Sequence, residues 1–367
     1  MTPFELPPYP YDRLTDLRAM AVERFGSVVD MSIGAPFDPP PEAVVNALSS
    51  SGLERGYPAS IGTEPFRQAG RDWLRSQFGA DVAVGDIGAT VGLKEFVAGA
   101  PHWLRLRDPS KDTVLYPAIS YPSYAMGAEL SHGRAVPVPL DENWQLQLDA
   151  IDPADIARAS VLWVNSPGNP TGALSNLEEA AEWGRTHGVP VFSDECYIEF
   201  TWNGSADTIL NHGTEGVLAV HSLSKRSNLA GVRAGFYAGD SDLVRWFQEM
   251  RKHTGMMVAG PSQHAAEVAL NDQEHVEVQR NIYLERLELM IDLLATVGVT
   301  APMPDGGFYL WAPAPEGAWN LTTRLAEDIG LIVSPGEFYG DAGSKYVRVA
   351  VVQPKEAIGE LSNRLGS

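Results

Sequence analysis

Between about Asp86 and Asp240 the chain alternates short, continuous apolar runs with amphipathic stretches long enough for a helix. The runs are Thr113-Val-Leu-Tyr116, Val161-Leu-Trp-Val164, Val189-Pro-Val-Phe192, Val217-Leu-Ala-Val220 and Ala234-Gly-Phe-Tyr-Ala238. A strand with one face in water alternates apolar and polar residues; a strand covered on both faces is apolar throughout. Runs of the second kind, separated by helices, predict an α/β domain built on a mostly parallel central sheet flanked by helices. Ligands of such sheets bind at the carboxyl ends of the strands. Most of the polar motifs considered below follow one of these runs.

At 367 residues the chain exceeds the size at which one core keeps growing, so two domains are expected. After Met256 the pattern changes to a long helical stretch near 262–296. Phe308-Tyr-Leu-Trp311 and Tyr346-Val-Arg-Val-Ala-Val351 then read as strands of a smaller α+β domain, with helices near 319–329 and 355–365. The predicted division is 1–45 as an N-terminal arm and part of the small domain, 46–260 as the large domain, and 261–367 as a linking helix and the rest of the small domain. Residues 2–12, rich in Pro and aromatic side chains, read as an extended arm, and Pro36 to Ser50 are assigned to the smaller unit.

The formal net charge of −20 disfavours nucleic acid and anionic membranes as partners. Cys196 is the single cysteine, which excludes an intrachain disulfide framework and is read as a packing residue. The N-terminus lacks a basic segment followed by an apolar core, and no apolar run reaches membrane length. Together these predict a cytoplasmic protein.

The chemistry concentrates in His221-Ser-Leu-Ser-Lys-Arg-Ser-Asn-Leu-Ala-Gly-Val-Arg-Ala-Gly-Phe236. Here Lys225 follows the hydroxyls of Ser222 and Ser224 and precedes Arg233. An amine beside two hydroxyls and a guanidinium suits an aldehyde cofactor that carries a phosphate. A lone Ser-x-Ser-Lys would more often be a solvated loop, and five further segments weigh against that. Thr90-Val-Gly-Leu-Lys94 places a glycine turn at a helix start, where free N–H groups and the helix dipole receive a phosphate. Tyr116-Pro-Ala-Ile-Ser-Tyr-Pro-Ser-Tyr124 offers aromatic rings for stacking. Asn165-Ser-Pro-Gly-Asn-Pro-Thr-Gly172 restrains Asn169 as an amide donor. Ser193-Asp-Glu-Cys-Tyr197 puts Asp194 at a strand end, where a partly buried carboxylate needs a cation such as a protonated pyridine nitrogen. Arg348, on an otherwise apolar strand, suits bidentate binding of a carboxylate or a distant salt bridge.

These segments occur in one order, from Ser32-Ile-Gly-Ala-Pro36 to Arg348, and in that order the chain resembles the class I/II, fold-type I aminotransferases that depend on pyridoxal 5'-phosphate. The wording around Leu223–Arg233 looks most like succinyldiaminopimelate aminotransferases of actinobacterial type. The resemblance implies that Lys225 carries the cofactor as an imine and later shuttles the proton. It implies that Asp194 pairs with the pyridine nitrogen and that Tyr197 and Asn169 hold the ring oxygen. Tyr121 stacks on the ring, with Tyr124 as the alternative because the loop carries two extra residues before Tyr121. The phosphate falls to the backbone amides of Leu93 and Lys94, to Ser222, Ser224 and Arg233, and to Tyr57 of a neighbouring subunit, hence a homodimer. Gly34 and Asn169 lie beside the substrate, and Arg348 grips its α-carboxylate. Arg55, Arg67 and Arg226 are the candidates for a distal carboxylate. The implied reaction moves the amino group of glutamate onto a dicarboxylic keto acid, N-succinyl-2-amino-6-ketopimelate, in lysine/diaminopimelate biosynthesis. The alternatives are an aminotransferase for aspartate or other amino acids, a β-lyase on the same fold, and a cofactor-binding regulator, which would need a DNA-binding domain.

Overall fold

The apolar runs form the strands they predict in the computed structural model, which describes residues 7–50 and 52–365. In chain order the strands are β1 (Val29–Asp30), β2 (Ile87–Thr90), β3 (Thr113–Pro117), β4 (Arg134–Val138), β5 (Ala159–Asn165), β6 (Val191–Asp194), β7 (Val217–Ser222), β8 (Gly235–Gly239), β9 (Tyr309–Pro313), β10 (Leu331–Ile332), β11 (Ser334–Pro335) and β12 (Tyr346–Ala350). Clustering of the chain gives two compact units. The larger runs from Ala35 to Ile282 with Pro304–Gly307; the smaller takes the described residues up to Gly34, Tyr283–Met303 and those from Phe308 on.

The large unit holds a seven-stranded sheet in the order β2-β8-β7-β6-β5-β3-β4. Five neighbouring strands are parallel, and β8 runs antiparallel to both β7 and β2. Alternation along β5 divides the core. Leu162 and Val164 join Trp73, Leu74 and Ile87 on one face, while Val161 and Trp163 join Phe96, Phe192 and Phe247 on the other. Both faces are covered, which is why these strands read as continuous apolar runs.

The helix Leu93–Arg107 starts at Gly92, whose φ of 69° lies in the left-handed region that glycine tolerates. Its first turn is anchored by Glu95, whose Oε1 accepts from the Val91 N–H at 2.8 Å. The same carboxylate takes a bidentate pair from Arg251 of the helix Ser241–Thr254, at 2.6 and 3.0 Å. Arg251 is fully buried and Glu95 mostly so, and this pair ties the two helices together.

The small unit pairs β1 parallel to β10 and arranges β11-β12-β9 as an antiparallel sheet. Its helices Ala318–Ile329 and Lys355–Arg364 lie where the sequence puts them. Three expectations change. Pro36 to Ser50 fall in the large unit, because the helix Glu42–Ser49 packs on the helix Gly260–Leu270. The stretch near 262–296 is two helices, Gly260–Leu270 and Glu274–Thr296: Asp272 Oδ1 accepts from the Glu274 N–H at 3.0 Å and restarts the helix as an N-cap. Of the arm over 2–12, the residues up to 6 lie outside the described residues, and Pro10–Leu14 form a 3-10 turn rather than an extended strand.

Glu95→Ala should leave the Arg251 guanidinium buried without its partner, at a cost of about 3–5 kcal/mol. Urea unfolding of the variant against the parent measures this, and a loss below about 1 kcal/mol would contradict the bracing role.

Candidate active site

Three neighbouring strands of the large unit end side by side, and each ends on a polar residue: Asn165 on β5, Asp194 on β6 and Ser222 on β7. Asn165 stands opposite Asp194 in register. Its Nδ2 donates to the Asp194 carbonyl at 2.7 Å and to the Pro167 carbonyl at 3.2 Å, while its Oδ1 accepts from the Asn169 N–H at 2.7 Å. One amide therefore fixes the loop that presents Asn169 to the strand that presents Asp194. Sequence reading passed over Asn165, although it opens the Asn-Ser-Pro-Gly-Asn segment.

The Asp194 carboxylate is buried, and burial raises its pKa above the ordinary carboxylate value. A hydrogen bond from Tyr124 and the charge of Lys225 oppose that rise. Tyr124 Oη donates to Asp194 Oδ2 at 2.9 Å. Tyr124 is wholly buried, with its ring stacked on Trp163 at 5.2 Å. Tyr121 is only half-buried and stands edge-on to Tyr124 at 6.2 Å. Of the two tyrosines, then, Tyr124 has its ring face and its hydroxyl committed to the protein. Tyr197 is buried beyond Asp194, and Cys196 packs beside the Trp163 cluster as expected of a small apolar residue.

Lys225 lies in the one-turn helix Leu223–Arg226, capped by Ser222, whose Oγ accepts from the Ser224 N–H at 3.1 Å. Arg233 follows in the left-handed region with φ 57°, an uncommon backbone for a non-glycine residue that aims its side chain across to β2. Its Nη1 donates to the Ala230 carbonyl at 2.8 Å and its Nη2 to the Val91 carbonyl at 3.5 Å. A Cβ built on Gly92 would fall on the Arg233 guanidinium. Only glycine at the start of the helix Leu93–Arg107 lets this cation lie beside the first-turn N–H groups of Leu93 and Lys94, an arrangement that suits a phosphate.

The small unit contains a buried arginine of interest. Arg348 on β12 stands between Trp311 of β9 and Ser334 of β11 and is 2% exposed. Its guanidinium lies 4.3 Å from the Tyr309 ring centre and 4.7 Å from that of Tyr339, and Nη2 donates to the Ser32 carbonyl at 2.5 Å. Two aromatic faces and a carbonyl immobilise the fork. Gly34 belongs to the same stack, since a Cβ there would strike the Tyr309 ring. Tyr309 and Tyr339 escaped sequence reading: the first was absorbed into an apolar strand, and the second lies in a short 3-10 turn.

The other arginines separate clearly. Arg226 is buried and committed: its Nε is 2.9 Å from Glu199 Oε2, and it donates to the Ala269 carbonyl at 2.5 Å and to Gln273 at 3.0 Å. It is corrected from a distal-carboxylate candidate to a structural ion pair. Arg67 donates to the Val84 carbonyl at 2.7 Å, and Arg55 is exposed. Tyr57, close to Arg55 in sequence, is 100% exposed, an unusual setting for a large ring in a single chain.

The chain belongs to the aminotransferase class I and II family, which it matches over residues 26–365. It is an aminotransferase of fold type I and depends on pyridoxal phosphate. It is 36% identical to the 4-dedimethylamino-4-oxo-anhydrotetracycline transaminase OxyQ of Streptomyces rimosus, over 98% of this chain and 99% of that one. It is 33% identical to the LL-diaminopimelate aminotransferase of Aquifex aeolicus, over 98% and 96%. The structure of a "probable N-succinyldiaminopimelate aminotransferase" from Thermus thermophilus superposes with a TM-score of 0.87 at 30% identity, covering 97% of this chain and 99% of that one. The large unit suits the cofactor on its own geometry: a buried carboxylate short of a cation, an amine beside it, and the Gly92–Arg233 cradle. Among the described residues no helix is long and apolar enough to cross a membrane.

Tyr124→Phe keeps the stack on Trp163 but removes a donor from a buried carboxylate, which should cost about 1–3 kcal/mol. Without that donor the pKa of Asp194 rises further, so the acid limb of the kcat/KM profile should move to higher pH. Urea unfolding and a pH–rate profile measure the two effects, and a variant matching the parent in both would show that the hydrogen bond is idle.

Proposed function

We propose that this aminotransferase moves the amino group of glutamate onto a long dicarboxylic keto acid of the N-succinyl-2-amino-6-ketopimelate kind. The observation that carries the reading of an α-amino-acid substrate is Arg348, buried and held by two tyrosine rings as a rigid carboxylate fork. The diaminopimelate assignment draws on the full-length similarity to LL-diaminopimelate aminotransferase and to the Thermus protein. In this reading the reaction belongs to lysine and diaminopimelate biosynthesis.

The roles follow from the large unit. The cofactor supplies an electron sink when bound. Asp194, desolvated and steadied by Tyr124, holds the pyridine nitrogen protonated. Asn169, fixed by Asn165, and Tyr197 donate to the ring oxygen. Tyr121 would cover the ring, while Ser222, Ser224, Arg233 and the Leu93 and Lys94 amides would hold the phosphate. Lys225 would serve as the base that holds and moves the proton of the substrate α-carbon. Gly34 leaves room beside the substrate. Tyr57 completes the phosphate site of a partner subunit in a homodimer, which would cover its exposed ring. Arg55 becomes the leading reader of the distal carboxylate in the large unit, since Arg226 is spent on Glu199.

A second reading has support of equal length: OxyQ, similar over almost the whole chain, is named for a keto group on a tetracycline precursor. On that reading the amino donor still uses Arg348, and the acceptor is a bulky ketone with no distal acid.

Borohydride reduction of the cofactor-loaded protein should fix the cofactor on Lys225, and a labelled peptide containing any other lysine contradicts the assignment. Arg348→Lys keeps the charge but loses the fork, and should lower kcat/KM for every carboxylate substrate about 10- to 100-fold. The deciding comparison is kcat/KM for N-succinyldiaminopimelate, LL-diaminopimelate, aspartate, aromatic amino acids and a polycyclic ketone acceptor. Preference for aspartate, an aromatic amino acid or the ketone removes the succinylated assignment and leaves amino transfer intact.

A further inference from the structure

A second polar cluster lies behind the strand ends, and the roles above do not use it. Asp194 is paired in register with Val220, and the next residue, Glu195, donates its N–H to the Val220 carbonyl at 3.0 Å. Side chains alternate along both strands, so Glu195 and His221 leave from the face opposite Asp194. On the Asp194 side stand Tyr124 and Trp163; on the other, the His221 ring lies 5.0 Å from both Trp73 and Phe236.

Glu195 is fully buried, and its Oε1 accepts the Ile209 N–H at 2.8 Å. Its Oε2 stands 3.5 Å from His221 Nε2. Glu195 Oε2 and both ring nitrogens of His221 have no partner with hydrogen-bond geometry. Three buried polar atoms without partners in one place are rare in native proteins. They border a cavity of about 10 Å³ that Trp73, Glu199 and Arg226 also line. A space of that size takes about one water molecule and cannot hydrate a carboxylate.

The surrounding charges leave Glu195 without a cation. Arg226 is committed to Glu199, which also accepts from Trp73 Nε1 at 2.7 Å. Asp207 adds a like charge, and only the Ile209 N–H and the Thr208 and Ser193 hydroxyls favour the ionised form. Burial consequently raises Glu195 to about 8. Burial likewise lowers His221 to about 3, with the Glu195 backbone opposing.

We propose that Glu195, His221 and one buried water share a single proton behind Asp194 and Lys225. The neutral acid donates through the water to the neutral imidazole. The pair joins the ends of β6 and β7 where Asp194 and the Lys225 helix diverge, and it adds no charge to the site at neutral pH. This requires only amino-transfer chemistry at Asp194 and Lys225 and is independent of which keto acid is used.

The test is Glu195→Gln, which keeps the shape and a hydrogen-bond donor but cannot ionise. A carboxyl raised in the folded state contributes stability that is complete below its ordinary range and is lost as pH rises through about 8. The Tm of the cofactor-free parent should therefore fall between about pH 5 and about pH 9 relative to that of Glu195→Gln. In the loaded parent, the cofactor absorbance should titrate with an extra step near pH 8 that the variant lacks. At pH 7 the variant should keep kcat within about twofold. Parallel Tm curves, identical absorbance titrations, or a loss of more than about tenfold in kcat at pH 7 would each overturn the proposal. Should the variant not fold, nitrogen-15 NMR of the parent decides: His221 neutral near pH 6 supports the shared proton, and an imidazolium there refutes it.

Discussion

The buried carboxylate of Asp194 imposes the demand that the rest of the large unit meets. A carboxylate out of water needs donors and a cation, and losing either leaves a charge in a poorly screened place. The strand end supplies the donors from its neighbours: Tyr124 from the helix Ser123–Leu130, and the Cys196 N–H from the turn that follows. Parallel pairing sets Asn165 opposite Asp194 and Asp194 opposite Val220, two residues before Ser222, so a single register positions the Asn169 loop, the acid and the start of the Lys225 helix. A one-residue slip would turn Asp194 to the face now held by Glu195 and His221.

Two arginine sites, one in each unit, are built on different physics. The Gly92–Arg233 cradle combines helix N–H groups with one guanidinium, an arrangement suited to a dianion with several acceptor oxygens. The Arg348 fork is planar and held between Tyr309 and Tyr339, an arrangement suited to a flat carboxylate. Each is preorganised by neighbours that sequence distance conceals. Glu95 and Arg251 brace the helix start of the first; Ser32 and Gly34 complete the second.

Much of this was legible in the chain. Doubly covered strands announce themselves as apolar runs, and the runs at 113, 161, 189, 217 and 234 all became strands of one sheet. The motifs around Asn169, Asp194 and Lys225 are local, so their residue types and spacing survive translation into structure. The misreadings were of another kind. Arg226 looked available because nothing in sequence places Glu199 and Trp73 beside it. Pro36 to Ser50 looked like part of the small unit because their packing partner, the helix Gly260–Leu270, lies far along the chain.

The sequence by itself determined the alternating α/β pattern, the family and the residues able to do the chemistry, because these depend on periodicity and on short segments. Tertiary structure alone decided what Tyr124 contacts: Trp163, 39 residues further along (163 − 124 = 39), fills one ring face, and Asp194 takes the hydroxyl. It likewise decided that the side chain next to Asp194 belongs to a second, buried cluster on the other side of the sheet. Both outcomes follow from strand register, which joins residues remote in sequence and sends consecutive side chains to opposite faces.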